Sequence, residues 1–531
     1  MKKIGSLLLV CAFALTASAV PARRGPVLRT AADGTKRVVY LHGDAFSHYT
    51  TDAKGNWLDD ETLAPLSTDV INARMERMRT RVQARRVQQA EKVGTAPNIA
   101  PRGLLILVNF KNKAFVTPYD TIRNMLDGDH FTRKYEYDYE YQEYEGGPTK
   151  TEHVSVTSSG SARQYFHDQS WGQYNPIFDV VGPYTLSKDY SYYGKNDDAN
   201  VGYMIKEACE LANKGGADFT LYDNDKDGNV DFVYVLYAGY GEADGGPANT
   251  VWPHNHDLSY LGISCSVDGK KIRNYACSNE ISYYSDMYNG IGTFCHEFSH
   301  VLGLPDLYET SSPALGLHTL FEWDILDYGP YNNDGNTPPS YSAYERFYCG
   351  WITPRVLTQS ENVTLKPMNE SKEALLLCEG NKHNLVGYDP NPTIFYLLET
   401  RTKSGWDEYL PGRGMLITKI SYDSQKWEYN EVNNSKKAMG VDLIEAKTNN
   451  GDYALYSDAF PYGAKSWTGF ANHEVTNIKM EAGGAISFVY TYTQGIDQID
   501  AEKPAVTKHI ENGRLIIMRG DKTYDVLGRI Q

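Results

Sequence analysis

The chain has 531 residues, 41% hydrophobic and 22% charged, enough for about three domains at roughly 150 residues each. A formal net charge of −15 excludes a basic nucleic-acid binder, and the polar balance excludes a multi-span membrane protein. Forty-one tyrosines and 46 glycines point instead to a loop-rich, β-rich globular protein.

Taken in chain order, Lys2 and Lys3, the apolar run from Ile4 to Leu15 and the triplet Ala17-Ser18-Ala19 make residues 1–19 a signal-peptide pattern, cut after Ala19. The run is too short to span a bilayer, so the mature chain is expected to be exported, with no transmembrane segment after signal removal. Residues 20–100 carry 13 Lys/Arg against 9 Asp/Glu, a net +4, whereas 101–531 carry 37 against 58, a net −21. Val38 to Tyr49 reads as a strand or hairpin, and Asn72 to Lys92 as an arginine-rich helix ended by Gly94-Thr95-Ala96-Pro97. This basic stretch, 20–100, reads as a prosegment that docks by charge on an acidic body and inhibits it. Asp44 is the carboxylate expected to reach the site, and arginines between Arg74 and Arg102 offer activation cuts.

Residues 101–355 mix strands and helices. Gly103 to Phe110 and Asp231 to Ala238 read as buried strands, Asp197 to Asn213 as a helix, and the Tyr/acid alternation of Tyr135 to Glu145 as an exposed hairpin. From 356 to 495 the pattern is one of short alternating segments, an antiparallel β domain. A linker and separable tail fill 496–531. Beyond the signal, Cys209, Cys265, Cys277, Cys295, Cys349 and Cys378 include no CxxC, and free thiols and one or two disulfides both stay open.

The stretch His296-Glu297-Phe298-Ser299-His300-Val301-Leu302-Gly303-Leu304-Pro305-Asp306 carries the chemistry. On a helix advancing about 100° per residue, His296 and His300 stack on one face, with Ile291, Phe294, Phe298, Val301 and Leu302 opposite. Two neutral imidazoles can hold zinc while Glu297, beside them, takes a proton from water. Gly303 lets the helix end in a left-handed turn so that Asp306 can swing back as third ligand. Upstream, Asp223, Asp225, Asp227, Asn229 and Asp231 have the oxygen spacing of a calcium loop, with Gly228 at the sharp turn. Tyr234 replaces the Glu of an EF-hand and a strand follows, so a structural calcium outside the EF-hand class is expected. His254 and His256 in WPHNH read as local structure or cleft residues.

These stretches resemble the immune-inhibitor-A-like family of secreted bacterial zinc metalloendopeptidases. The matching segments are 161–186, 218–242, 296–308, WDILDYG (323–329), 341–354 and FYLLETRTKSGWDEYLPGRGMLI (395–417). The resemblance implies an α+β, metzincin-like zincin catalytic domain followed by an antiparallel β-sandwich domain and preceded by a prosegment. It implies a zymogen that cleaves extracellular proteins or peptides; separately, the chain is expected to act as a monomer. Where metzincins carry a methionine under the metal this chain has Leu326, which conserves volume. Tyr328 stands where several metzincins place a tyrosine able to stabilise an oxyanion, and is the second catalytic candidate. The alternative is a weak or inactive homologue that binds an extracellular protein or glycan. The tail, 509–531, resembles a shortened type IX sorting signal, which would take the chain to the cell surface.

Overall fold

The computed structural model describes residues 18–89, 102–144, 146–311 and 314–493, and in the tail 506–511, 514–519, 522–525 and 529–530. Most of the expected signal segment, 1–17, and the expected linker, 496–505, lie outside the described residues.

The N-terminal segment opens with strand β1 (Ser18–Ala19). A four-stranded antiparallel meander follows: β2 (Pro26–Thr30), β3 (Lys36–Asp44), β4 (Ser47–Thr51) and β5 (Trp57–Leu58). The turn from β3 to β4 demands glycine: Gly43 has φ +89°, and a Cβ there would lie 1.8 Å from the Ser47 carbonyl oxygen. Helix α1 (Thr68–Gln89) completes the segment, beginning before the expected Asn72.

The middle of the chain supplies β6 (Arg102–Asn109), α2 (Tyr119–Asp127), β7 (Lys134–Tyr141), β8 (Lys150–Thr157), α3 (Ala162–Gln169), β9 (Ile177–Thr185), α4 (Tyr190–Asp198) and α5 (Val201–Lys214). It continues with β10 (Asn229–Val230), β11 (Val233–Tyr237), β12 (His254–Asp257), β13 (Cys265–Val267), β14 (Lys270–Ile272), β15 (Asn274–Asn279), α6 (Gly292–Ser299) and α7 (Ala343–Tyr348). A six-stranded sheet runs in the order β1-β12-β15-β11-β6-β9. β9, β6, β11 and β15 are parallel, β12 is antiparallel to β15, and β1 lies antiparallel along the outer edge of β12. β6 is apolar almost throughout because both its faces are covered. Leu105 and Leu107 meet Phe294 and Phe298 of α6, while Leu104, Ile106 and Val108 meet Met204, Ile205 and Ala208 of α5.

Two expectations change here. The helix foreseen from Asp197 starts at Val201, because Asn196, Asp197 and Asp198 adopt left-handed φ of 56°, 54° and 59°, a conformation that Asn and Asp tolerate locally and a helix does not. The tyrosine-rich stretch is the β7–β8 hairpin, but its tyrosine face covers the N-terminal segment and its neighbours. Tyr139 Oη donates to the Pro26 carbonyl at 2.9 Å and Tyr135 Oη to Asp334 at 2.8 Å.

The C-terminal part contains β16 (Arg355–Val356), β17 (Glu361–Leu365), β18 (Leu375–Cys378), β19 (Ile394–Arg401), β20 (Gly414–Ser421), α8 (Ser424–Glu428), β21 (Val441–Leu443), β22 (Trp467–Phe470), β23 (His473–Met480) and β24 (Ile486–Tyr492). One sheet has the order β16-β18-β19-β20-β21, the other β17-β24-β23-β22. Every ladder is antiparallel except β16 with β18, which is parallel. Leu375, Leu377, Leu398 and Ile417 of the first sheet share a core with Val475, Ile478 and Phe488 of the second. The other face of the first sheet, with Leu376, Phe395, Leu397 and Leu416, joins the core that holds Phe298, Leu326 and Phe347. Tail strands β25 (Val506–Glu511), β26 (Arg514–Arg519) and β27 (Lys522–Tyr524) pair among themselves. The six cysteines among the described residues, Cys209, Cys265, Cys277, Cys295, Cys349 and Cys378, are free thiols. Among the described residues, no helix is long and apolar enough to cross a membrane.

Candidate active site

The site grows from α6. Its apolar face buries Phe294 and Phe298 against Phe178, with ring centres 4.9 and 5.0 Å apart, and so turns His296 and His300 the opposite way. The helix tightens into a turn at His300–Leu302, and Gly303 ends it with φ +85°, returning the chain to Asp306.

Each imidazole is oriented by a carbonyl. His296 Nδ1 donates to the Ile325 oxygen at 2.8 Å, and His300 Nδ1 to the Leu304 oxygen at 2.7 Å. A carbonyl can only accept, so Nδ1 carries the proton and both Nε2 lone pairs are free. They face Asp306 Oδ1 at 3.2 and 3.4 Å. A tetrahedron with metal–ligand bonds of about 2.0–2.1 Å has an edge of about 3.3 Å, the spacing of these atoms. His296 Nε2, His300 Nε2, Asp306 Oδ1 and Glu297 Oε2 are buried without a hydrogen-bond partner, a cost that a metal and its water would remove. The residues therefore fit a zinc ion.

Two groups complete the setting. Asn430, in the turn after α8, accepts the Asp306 N–H at 2.7 Å and donates its Nδ2 to Asp306 Oδ2. Tyr308 Oη donates to the same Oδ2 at 3.2 Å. Sequence reasoning missed both groups. Asn430 lies 124 residues from Asp306, and no local pattern marks it. Tyr308 falls inside the family-like stretch 296–308, but no spacing there marks its hydroxyl.

Glu297 is fully buried beside the histidines. Burial, with the charge of Asp306 added, pushes its carboxyl well above the ordinary value. Its Oε1 accepts the backbone N–H of Val20 at 3.1 Å. β1 thus brings the Ala19–Val20 peptide to the ligands: the Ala19 carbonyl accepts from Tyr308 Oη, and the Val20 carbonyl from Trp252 Nε1 at 3.0 Å. His254 and His256 lie on β12, the strand that β1 pairs with. His254 is locked by the Trp252 carbonyl and the Tyr275 hydroxyl, and burial lowers its pKa to about 4.

The remaining candidates are placed as follows. Tyr328 stands on a cleft wall with the Arg24 guanidinium 3.5 Å above its ring. It borders a cavity of about 420 Å³ shared with Tyr308, Phe321 and the β3–β4 hairpin. Asp44, the carboxylate expected to reach the metal, closes its own turn instead, accepting the N–H groups of Phe46 and Ser47. Leu326 is fully buried in a turn closed by its N–H on Asp324 and by the Leu307 N–H on its carbonyl. Asp223, Asp225 and Asp227 bring carboxylate oxygens within 4.8 Å of one another. Lys270 Nζ already sits 2.5 Å from Asp223, Asn229 donates to Asp227, and Asp231 turns to the N–H groups of Asn224.

Residues 89–351 match the description "Immune inhibitor A peptidase M6, catalytic domain". The pre-pro-metalloprotease PrtV of Vibrio cholerae serotype O1 is 28% identical over 214 residues, covering 35% of this chain and 23% of that protein. Immune inhibitor A of Bacillus thuringiensis subsp. alesti is 24% identical over 214 residues, covering 35% of this chain and 31% of that protein. The chain spans less than a third of the length of these curated relatives.

Proposed function

Because the chain carries a catalytic domain of the immune inhibitor A family, a peptidase M6 metallopeptidase, we propose that it is an exported zinc endopeptidase made as a zymogen. The observation that carries this reading is the convergence of three orphaned, buried ligand atoms, His296 Nε2, His300 Nε2 and Asp306 Oδ1, beside the Glu297 carboxylate. Zinc held there would acidify water towards neutrality and polarise a peptide carbonyl. Glu297 then takes the proton of the attacking water and hands it to the leaving amine, at the position where the Val20 N–H now donates to it. Tyr308 and, once Arg24 leaves it, Tyr328 are the hydroxyls able to donate to the developing oxyanion.

In this reading residues 1–19 are the signal, 20–100 the inhibitory prosegment, 101–355 the peptidase domain, 356–495 a β-sandwich domain and 496–531 a linker with a sorting tail. Ion pairs of Arg23 with Asp334 and of Arg29 with Glu242 support docking of the basic segment on the acidic body. Extracellular proteins or peptides are the substrates, and the enzyme acts as a monomer. Calcium at Asp223, Asp225, Asp227, Asn229 and Asp231 would be structural. Leu326 is the feature favouring an inactive binding homologue, but its turn keeps the carbonyl that orients His296. The test is zinc content together with cleavage of denatured casein, before and after limited trypsin treatment. Absence of stoichiometric zinc, or casein left intact by the trypsin-treated chain, would overturn the reading.

A further inference from the structure

The β region reaches back to the cleft through the loop between β21 and β22, and that loop is pinned along its length. Asn449 Nδ2 donates to the Tyr453 carbonyl at 2.8 Å, and the Ala454 N–H donates to the Glu322 carboxylate at 2.8 Å. Asp458, fully buried, accepts from Trp323 Nε1 at 3.3 Å and from the Leu455 N–H at 2.6 Å. His318 ties the loop to the segment before Phe321: its Nδ1 donates to the Gly451 carbonyl at 3.2 Å, and its Nε2 stands 2.8 Å from Glu445. Asn450, Gly451 and Asp452 thereby become a wall of the cavity of about 420 Å³ that Tyr308 and Tyr328 also border.

A loop held this firmly nevertheless shows aromatic rings to water. Tyr453 is 52% exposed, Tyr456 61% and Tyr462 40%. The Tyr453 ring lies against Gly451, where a Cβ would come within 3.3 Å of it. The rings of Tyr456 and Tyr462 stand 6.3 Å apart at 73°, and Arg413 Nε donates to the Tyr462 hydroxyl at 2.9 Å. Single exposed apolar side chains are ordinary, but a group of them fixed beside a cleft marks a binding surface. Tyrosines already held in place give contact area at low entropic cost. The exposed charges around them, Arg413, Lys447 and Asp452, are of both signs, so the rings and not a charge define what binds. All three rings are open with the N-terminal segment in place.

We propose that Tyr453, Tyr456 and Tyr462 form an exosite for the substrate protein, a ledge that takes apolar side chains of an extended polypeptide whose scissile bond lies in the cleft. The occupant follows from continuity: the loop that carries the rings is also a wall of the cavity leading to Tyr308 and Tyr328, so a chain leaving the cleft on this side crosses them. The proposal rests on the peptidase reading. Contacts remote from the reacting bond are equal in the ground and transition states, so the ledge lowers KM for long substrates and leaves kcat alone. A peptide too short to span cleft and ledge gains nothing from it. Because the ledge is open in the uncut chain, that form also holds unfolded protein.

The test compares the wild type with a serine variant, Tyr453→Ser with Tyr456→Ser and Tyr462→Ser, and with a phenylalanine variant, Tyr453→Phe with Tyr456→Phe and Tyr462→Phe. The first readout is binding of fluorescently labelled, denatured casein to the uncut chains, each also carrying Glu297→Ala so that nothing is cut. The serine variant should bind about 10-fold or more weakly, and the phenylalanine variant, which keeps the rings, within about 2-fold of the wild type. The second readout uses the zinc-loaded, trypsin-treated chains with Glu297 intact. KM for casein should rise about 10-fold in the serine variant at unchanged kcat, while kcat/KM for a short fluorogenic peptide stays the same. Equal casein binding and equal KM in all three chains would overturn the exosite. An equal loss on casein and on the short peptide would overturn it too, by making the rings part of the cleft or of the fold. Self-association of the wild type that the serine variant lacks, with casein binding unchanged, would give the ledge to a second copy of the chain instead. Binding requires no turnover. Ring-dependent casein binding by a chain that cleaves nothing would therefore count against the peptidase reading and in favour of the ledge.

Discussion

Asn430 and Asp306 exchange two complementary hydrogen bonds across 124 residues: the Asp306 N–H on the asparagine oxygen, and the asparagine Nδ2 on Asp306 Oδ2. This pairing leaves Oδ1 alone to face both histidines. Outer groups that aim a ligand commonly contribute 10–100-fold to metal affinity. Asn430→Ala is expected to weaken zinc binding by about that factor, measured by competition with a chromophoric chelator. An unchanged zinc Kd would mean that the turn holds Asp306 unaided.

Glu297 holds no metal in this scheme, so Glu297→Ala should retain about one zinc per chain while losing roughly 10²–10⁴-fold in kcat. Metal analysis and casein cleavage on one preparation check both halves. Near wild-type cleavage would remove Glu297 from the mechanism.

Asp324 and His254 give stability opposite pH dependences. Burial raises Asp324 to about 7, partly opposed by the Leu326 N–H, so the native state keeps its proton longer than the unfolded chain does. Its contribution is full below about pH 4 and is lost as pH rises through 7. Burial lowers His254 to about 4, so its contribution is full above about pH 6.5 and is lost as pH falls through 4. The Tm advantage of the wild type over Asp324→Asn, with zinc chelated, should therefore shrink by roughly 5 °C between pH 4 and 8. A difference that does not change with pH would show that Asp324 titrates as an ordinary carboxyl.

A calcium ion at the Asp223 loop would have to displace Lys270, whose Nζ lies 2.5 Å from that carboxylate. Calcium should raise the wild-type Tm, Lys270→Met should increase the gain, and Asp225→Ala with Asp227→Ala should abolish it. Equal wild-type melting in calcium and in magnesium would remove the site.

Much of the centre was legible because it is local. His296, Glu297 and His300 share one turn of helix, and Gly303 announces the reversal that returns Asp306. The strands at 103–110 and 231–238 were legible as apolar runs, since a sheet covered on both faces leaves no polar alternation. Contacts set by tertiary packing were not. Asn430 and Tyr308 act through distances that no periodicity encodes, and the break at Asn196 to Asp198 overrides a helix-like pattern with three left-handed residues. The basic charge of 20–100 pointed to docking on the acidic body, but charge cannot choose an atom. The group that reaches Glu297 is a backbone N–H of Val20, a chemistry that every residue except proline carries.

The core that runs past residue 355 has a consequence for inheritance. Phe298, Leu326 and Phe347 on one side of that boundary are sealed by Leu376, Phe395 and Trp427 on the other, and the family match ends at 351, inside this seam. A gene cut at the seam would yield a chain with a raw apolar face and an unanchored Asp306, expected to precipitate before any chemistry could be scored. The portable unit, for recombination or for a protein engineer, is residues 102–492 taken whole. Any descendant that shed the β region would have had to reinvent both a cover for that face and a replacement for Asn430.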